Sequence, residues 1–167
     1  MIWVWERFYS CVIWLQVKTG RGPPGFITFL YRNLYSSFVW FDEFVTMMDR
    51  VQDHKHTNDI LLLGDFKIDM FKYNPLWAST LSLYNLHQCV QSATRVILTT
   101  STPIDHICVN NPDKMMRKYI PHASVSDHYP VFCALYCEVP RPKTGKHTTV
   151  TTGLEKNRCR CFSQWFE

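Results

Sequence analysis

The sequence lacks an apolar run long enough to cross a membrane. Residues 1–5 are apolar, but Glu6 and Arg7 interrupt them and no small-residue cleavage site follows, so we expect no signal peptide. The next apolar stretch, 11–17, is far shorter than the ~20 residues that a membrane-spanning helix needs. Internal repeats and low-complexity blocks are also absent, which argues against solenoid and fibrous architectures. We therefore expect no membrane partner.

The cysteines lack the spacing of a disulfide framework or a zinc site. There are seven of them, an odd number, and they are scattered along the chain. Cys159 and Cys161 form a close pair without a second pair or a histidine partner, a pattern that does not make a zinc site. A reduced, intracellular setting is therefore the simpler expectation.

The composition predicts one folded domain. The 167 residues are 46% hydrophobic and 15% aromatic, which is enough for a real core and too apolar for disorder. The net charge of +4 suits an anionic partner such as DNA, although many proteins that bind no nucleic acid share it. Prolines, glycine and lysines after position 139 predict a linker and a poorly ordered tail over 140–167, which leaves 1–139 as the domain.

Hydrophobic patterning predicts both strands and helices. Two strands, 10–17 and 25–31, flank a turn rich in glycine and proline and indicate a hairpin. A strand is predicted over 59–63, and the unbroken apolar residues 60–63 within it are typical of a strand covered on both faces. The remaining predicted elements are helices over 38–52 and 75–83, a short strand or turn at 86–90, a strand and loop over 94–102, and strands at 104–109, 117–120 and 131–137.

A carboxylate follows that unbroken apolar run. Gly64 ends the strand and Asp65 comes directly after it, so the acid is held at the mouth of a sheet. There it can bind a divalent metal or orient an attacking water. Aspartate is also common in ordinary strand-to-loop turns, and this motif alone leaves the two interpretations equal.

A second motif, Ser126-Asp127-His128, precedes the last strand. In a turn, Asp127 and His128 can converge while the Ser126 hydroxyl braces them. A histidine near a phosphate can accept a proton or stabilise the developing charge.

Such a histidine needs a carboxylate to fix its tautomer, and Asp105 is the candidate. It lies among apolar neighbours, where an unpaired charge costs several kcal/mol. Pairing with His128 would supply a partner. The alternative is a structural salt bridge from Asp105 to Arg95 or Lys118.

The order of these motifs resembles that of the endonuclease/exonuclease/phosphatase superfamily. In chain order, the resemblance is carried by Tyr31-Arg32, Trp40-Phe41-Asp42-Glu43-Phe44, Leu63-Gly64-Asp65-Phe66, Thr94-Arg95-Val96, Ile104-Asp105-His106-Ile107 and Ser126-Asp127-His128-Tyr129-Pro130-Val131. Over roughly 10–137, the chain is most similar to the apurinic-type endonuclease domain that accompanies the reverse transcriptase of non-LTR (LINE-type) retrotransposons. The resemblance implies a partial four-layer α/β/β/α sandwich of the DNase I-like type. It also implies Mg²⁺ or Mn²⁺ as cofactor, DNA as partner and a nuclear location.

The resemblance implies a catalytic role for five residues. Tyr31 and His128 resemble residues that contact the attacked phosphate, and Asp105 resembles the acid that orients the histidine. Asp65 resembles the acid that activates the nucleophile near the metal. Asp127 resembles a metal-linked acid.

Four further residues are candidates for substrate contact. Thr94 resembles a threonine that touches DNA, and Arg95 and Ser126 lie in matching motifs. Lys67 stands where the family's Gly-Asp-Phe-Asn motif has asparagine. Lysine can also donate a hydrogen bond, but as a flexible cation it would repel a nearby Mg²⁺.

The resemblance covers only the second part of the family's domain. The family's main metal-binding glutamate has no counterpart before position 10, and a hard cation needs several oxygens. We therefore predict an impaired Mg²⁺-dependent DNA endonuclease, with one sheet face that exposes apolar surface. The alternatives are an inactive retroelement remnant with weak nucleic-acid binding, and a phosphatase or phospholipid diesterase, which the mild basicity disfavours.

Overall fold

Two helices and ten strands make up the described part of the chain. The computed structural model describes residues 2–7, 10–18, 24–34, 39–53, 59–121 and 126–136, with side chains from position 11 onward. The strands are β1 (Ile2–Arg7), β2 (Ser10–Val17), β3 (Gly25–Arg32), β4 (Ile60–Asp65), β5 (His87–Gln88), β6 (Arg95–Ile97), β7 (Thr100–Thr102), β8 (Asp105–Val109), β9 (Met115–Tyr119) and β10 (Phe132–Leu135). The helices are α1 (Val39–Gln52) and α2 (Pro75–Leu83), and a 3-10 turn covers Pro112–Lys114. The tail predicted at 140–167 lies outside the described residues.

One six-stranded sheet organises the molecule, with strand order β1-β2-β3-β4-β8-β5. The β3–β4 pair is parallel, and the other pairs in this sheet are antiparallel. Two antiparallel pairs, β6–β7 and β9–β10, stand beside it. The predicted hairpin of β2 and β3 is confirmed, and so are both predicted helices to within a residue.

The central strand β4 is covered on both faces, as its apolar run predicts. All six of its residues are buried. Leu62 belongs to the core beneath the helices, which contains Trp40 and Trp77. Leu61 and Leu63 belong to a second core on the opposite face of the sheet.

The predicted exposure of one sheet face is only partly present. On the face of the second core, Val131 and Cys133 are buried together with Ile107 of β8. Farther along the sheet, Ile27 and Phe29 of β3 pack against this core but stay half-buried. The small β9–β10 pair therefore shields the centre of this face better than its β3 side.

Three elements differ from the sequence predictions. Strand β1 was not expected, because residues 1–5 lack the alternation of a half-buried strand. The segment 86–90, expected as a short strand or turn, contains only the two-residue strand β5, and the strand expected at 117–120 begins earlier, as β9. No helix within the described ranges is long and apolar enough to cross a membrane.

Candidate functional site

Strand pairing brings three of the predicted residues to one edge of the sheet. Asp65 ends β4, and in the antiparallel register it stands opposite Asp105, the first residue of β8. On its other side, the parallel register places Tyr31 of β3 opposite Asp65. We call this edge the rim, and Asp65, Asp105 and Asp127 the rim acids.

The turn that carries His128 is fixed to β6 by backbone hydrogen bonds. The Asp127 carbonyl accepts the N–H of Val96 at 2.8 Å, and the N–H of Tyr129 donates to the Thr94 carbonyl at 2.6 Å. Within the turn, the Ser126 hydroxyl accepts the N–H of His128 at 3.1 Å. The bracing role predicted for Ser126 is therefore present, and its hydroxyl is engaged with the turn rather than directed to a substrate.

Thr94 is a buried positioning residue, and its predicted contact with DNA stays a prediction. It is fully buried. Its hydroxyl oxygen accepts the N–H groups of Ile104 and Asp105, at 3.2 and 3.0 Å. These two hydrogen bonds help to set where β8 begins.

The predicted Asp105–His128 pair is present. Nδ1 of His128 lies 3.0 Å from Oδ2 and 3.2 Å from Oδ1 of Asp105. The hydrogen bond to Asp105 raises the pKa of His128 above its usual value, and partial burial opposes this shift. The alternative salt bridges do not form, because Arg95 pairs with Asp127 and Lys118 donates to Gln91.

We expect Asp105→Asn to lower the pKa of His128. The carboxylate favours the imidazolium, whereas the burial that remains disfavours it. Because the folded-state pKa is raised, this pair stabilises the fold fully below the unfolded pKa of about 6.5, and the contribution is lost as the pH rises through the folded value. An NMR titration of the imidazole Cε1–H signal measures the shift.

Asp113→Asn serves as the control for that titration, since Asp113 lies beyond the opposite end of β8. It should leave the His128 titration unchanged. An equal titration of His128 in the wild-type protein and Asp105→Asn would show that the pair does not form in solution.

Asp65 is nearly buried and is held by Lys67. Its Oδ1 accepts the backbone N–H of Lys67 at 3.2 Å, and its Oδ2 pairs with the Lys67 ammonium. Burial raises the pKa of Asp65, and the charge of Asp105 raises it further, while Lys67 opposes both. Lys67 is thus directed at the acid, and its predicted contact with substrate would require it to leave this pair.

Asp127 is paired outside this group, and its predicted role as a metal ligand stays a prediction. Its Oδ2 accepts Nε of Arg95 at 2.6 Å. This hydrogen bond is the main reason why the pKa of Asp127 lies below its usual value. The same pair occupies Arg95, which was expected to contact phosphate.

A candidate metal site remains at the rim. Asp65, Asp105 and His128 each offer one ligand atom, and these atoms lie within 4.8 Å of one another. Mg²⁺ prefers several oxygen ligands, but here one donor is an imidazole, and both carboxylates already have basic partners, the Lys67 ammonium at Asp65 and His128 at Asp105. By position the three residues suit a divalent cation, but by charge they do not fit one.

His106 is a positioning residue that the sequence did not reveal. It is almost completely buried and donates from Nε2 to the Ile68 carbonyl at 2.8 Å. Burial lowers the pKa of His106 to about 4, so the ring is neutral. Its ring stacks on Phe66 with centroids 4.8 Å apart. His106 thereby anchors the loop that carries Lys67, and only its place in an apolar strand hinted at this role.

Comparison with solved structures identifies the architecture. An endonuclease/exonuclease/phosphatase family protein from Leptotrichia buccalis C-1013-b is 18% identical with a TM-score of 0.53, covering 75% of this chain and 53% of that chain. A protein of the same family from Bacteroides thetaiotaomicron is 18% identical with a TM-score of 0.55, covering 73% of this chain and 52% of that one. The fold is that of the endonuclease/exonuclease/phosphatase proteins.

The endonuclease/exonuclease/phosphatase fold also includes a neighbour described as a phosphatase. This mannosyl-6-phosphatase from Bacteroides thetaiotaomicron VPI-5482 is 16% identical with a TM-score of 0.51, covering 73% of this chain and 55% of that one. The chain spans about half the length of these neighbours. No family model and no curated protein matches it. The α/β fold predicted from the sequence is confirmed.

Proposed function

We propose that the rim belongs to a phosphodiester-hydrolysing site of the endonuclease type that acts on DNA. The observation that carries the proposal is the Asp105–His128 pair, held beside Asp65 at one edge of the sheet. The motif order further supports an endonuclease of the non-LTR retrotransposon type, which acts in the nucleus. The net charge of +4 suits its anionic substrate.

His128 has the clearest chemical role in this proposal. Asp105 holds Nδ1, so that His128 in its protonated form presents Nε2–H as a donor to an oxygen of the attacked phosphate and stabilises its developing charge. Tyr31 stands beside Asp65 in the sheet and is 49% exposed. Its phenol hydroxyl can donate to the same phosphate.

Hydrolysis by this chain is proposed to be impaired. The cation proposed for this type of site is Mg²⁺ or Mn²⁺, which neutralises charge on the phosphate. Asp65 and Asp105 are the oxygen donors of the rim, but their pairing with Lys67 and His128 leaves them a poor fit to a divalent ion.

A second candidate is an inactive retroelement remnant with weak nucleic-acid binding. The observation that favours it is that each rim acid has a basic partner. A phosphatase is a third candidate within the same fold, since one solved neighbour carries that description.

A plasmid-nicking assay with the purified chain tests these candidates. With Mg²⁺ we expect feeble nicking of supercoiled DNA, or none. Residual nicking that EDTA stops and His128→Ala removes supports the impaired enzyme, and DNA binding without nicking supports the remnant. Release of phosphate from a monoester without nicking would favour the phosphatase. Robust nicking that depends on Mg²⁺ and His128 would contradict the proposed impairment.

A further inference from the structure

Lys67 engages both oxygens of the Asp65 carboxylate. The ammonium pairs with Oδ2, and the backbone N–H of the same residue donates to Oδ1 at 3.2 Å. A carboxylate that binds a divalent ion must direct an oxygen lone pair at the ion. At Asp65, both oxygens already face a positive charge or an N–H group.

The Lys67–Asp65 pair is largely withdrawn from water. The side chains are 16% and 9% exposed, respectively. Charges attract more strongly where water is excluded, and breaking such a pair leaves a buried charge without compensation. The ammonium also lies 5.6 Å from the centroid of the Tyr31 ring, a distance at which cation–π attraction holds it further. Lys67 is therefore held at the rim.

The backbone at Lys67 favours a different residue. Its φ of 52° lies in the left-handed region, which is uncommon for lysine and enriched in asparagine. This conformation brings the residue 67 N–H to Asp65. An asparagine at position 67 would keep the backbone hydrogen bond at lower strain and remove the charge. The substitution Lys67→Asn therefore tests the effect of the charge while the backbone conformation of the loop is kept.

The two facing carboxylates of the rim have basic partners within the protein. Asp65 and Asp105 stand opposite each other across β4 and β8, where two unpaired carboxylates would repel. Lys67 supplies a positive charge in contact with Asp65, and Nδ1 of His128 contacts Asp105. A divalent cation normally relieves such repulsion between carboxylates. Here, side chains of the protein already do so.

We propose that Lys67 is the resident counter-cation of this rim. Its ammonium takes the place beside Asp65 that a divalent ion would need, so the chain does not bind a divalent ion at Asp65, Asp105 and His128. This inference concerns ion binding alone and holds whether or not the protein hydrolyses DNA. The structure thus disagrees with the metal dependence proposed for the site type, and Lys67 accounts for the disagreement.

Titration of the purified chain with Mn²⁺, followed by the electron paramagnetic resonance signal of the unbound ion, tests the proposal. We expect weak binding by the wild-type chain and binding at least about tenfold tighter by Lys67→Asn, because a positive charge next to the ion has been removed. Lys67→Gly, which also suits a left-handed backbone, should behave like Lys67→Asn. Lys67→Arg keeps the charge and should remain weak.

The matched control is Lys72→Asn. Lys72 also pairs with an aspartate, Asp69, at 3.5 Å, but its side chain is 83% exposed. This variant should bind Mn²⁺ as the wild type does, and Asp65→Asn added to Lys67→Asn should abolish the gain.

Three outcomes would overturn the proposal. They are tight binding by the wild type, equally weak binding by folded Lys67→Asn and Lys67→Gly, and a gain that survives Asp65→Asn. Circular dichroism establishes that each variant is folded. Because the assay contains no DNA, its result is independent of the nicking experiment.

Discussion

Replacing Gly64 with alanine should unfold the protein or nearly do so. The backbone of Gly64 has φ of +150°, which residues with side chains rarely adopt. A Cβ atom there would lie 1.9 Å from the Leu30 carbonyl oxygen and 2.8 Å from its carbon. Both are backbone atoms of β3 and cannot rotate away, so β3 and β4 would have to separate.

The expected cost of Gly64→Ala is about 4 kcal/mol or more, since backbone strain and lost strand packing act together. A domain of this size is stable by only about 5–15 kcal/mol. Urea denaturation followed by tryptophan fluorescence measures the change in the free energy of unfolding. The loss should be large enough to lower the yield of folded protein.

Gly25→Ala is the matched control for this effect. Gly25 begins the same strand β3, but a Cβ there would meet the Asp59 carbonyl oxygen at 3.1 Å. We expect this variant to lose no more than about 1 kcal/mol, as a neighbour need shift only slightly. If Gly64→Ala were as stable as Gly25→Ala, the strands could not approach each other as described.

The sequence around Gly64 made part of the site predictable. An apolar run followed by glycine and aspartate predicts a buried strand that ends in an acid, and β4 is that strand. Because Asp105 begins β8 and β8 pairs with β4, the two acids meet by register alone. Features that follow from strand ends and pairing can be derived from local sequence pattern.

Features that depend on loop conformation could not be derived in this way. Lys67 reaches back to Asp65 only because its backbone adopts a left-handed conformation, which composition does not predict for lysine. Similarly, Thr94 could be taken as a surface residue because a polar, β-branched segment surrounds it. Its burial depends on how β6 and β8 pack. The Asp127 carboxylate pairs with Arg95, which lies 32 positions away in the sequence, and local sequence pattern does not predict a contact at that separation.

The second large effect is expected from Lys67→Asn in a fusion protein, because the chain spans about half the length of its structural neighbours. The fusion partner is the N-terminal half of a LINE-type endonuclease domain, which would supply the metal-binding glutamate that the proposed function calls for. In that context we expect Lys67→Asn to raise the rate of Mg²⁺-dependent plasmid nicking by roughly 10- to 100-fold. The physical reason is that the released Asp65 carboxylate can then act on the metal or the nucleophile, and a catalytic metal contributes several kcal/mol to the transition state.

Two variants of the fusion decide whether that gain arises at the rim. Lys72→Asn removes an exposed lysine from the same loop region and should leave nicking unchanged. Adding His128→Ala to Lys67→Asn should remove the gain, because the phosphate then loses the donor that Asp105 orients. If Lys67→Asn fails to accelerate nicking although Mn²⁺ binding improves, the ammonium excludes the metal without limiting hydrolysis. The impairment would then have to come from the rest of the site, and first from the pairing of Asp127 with Arg95.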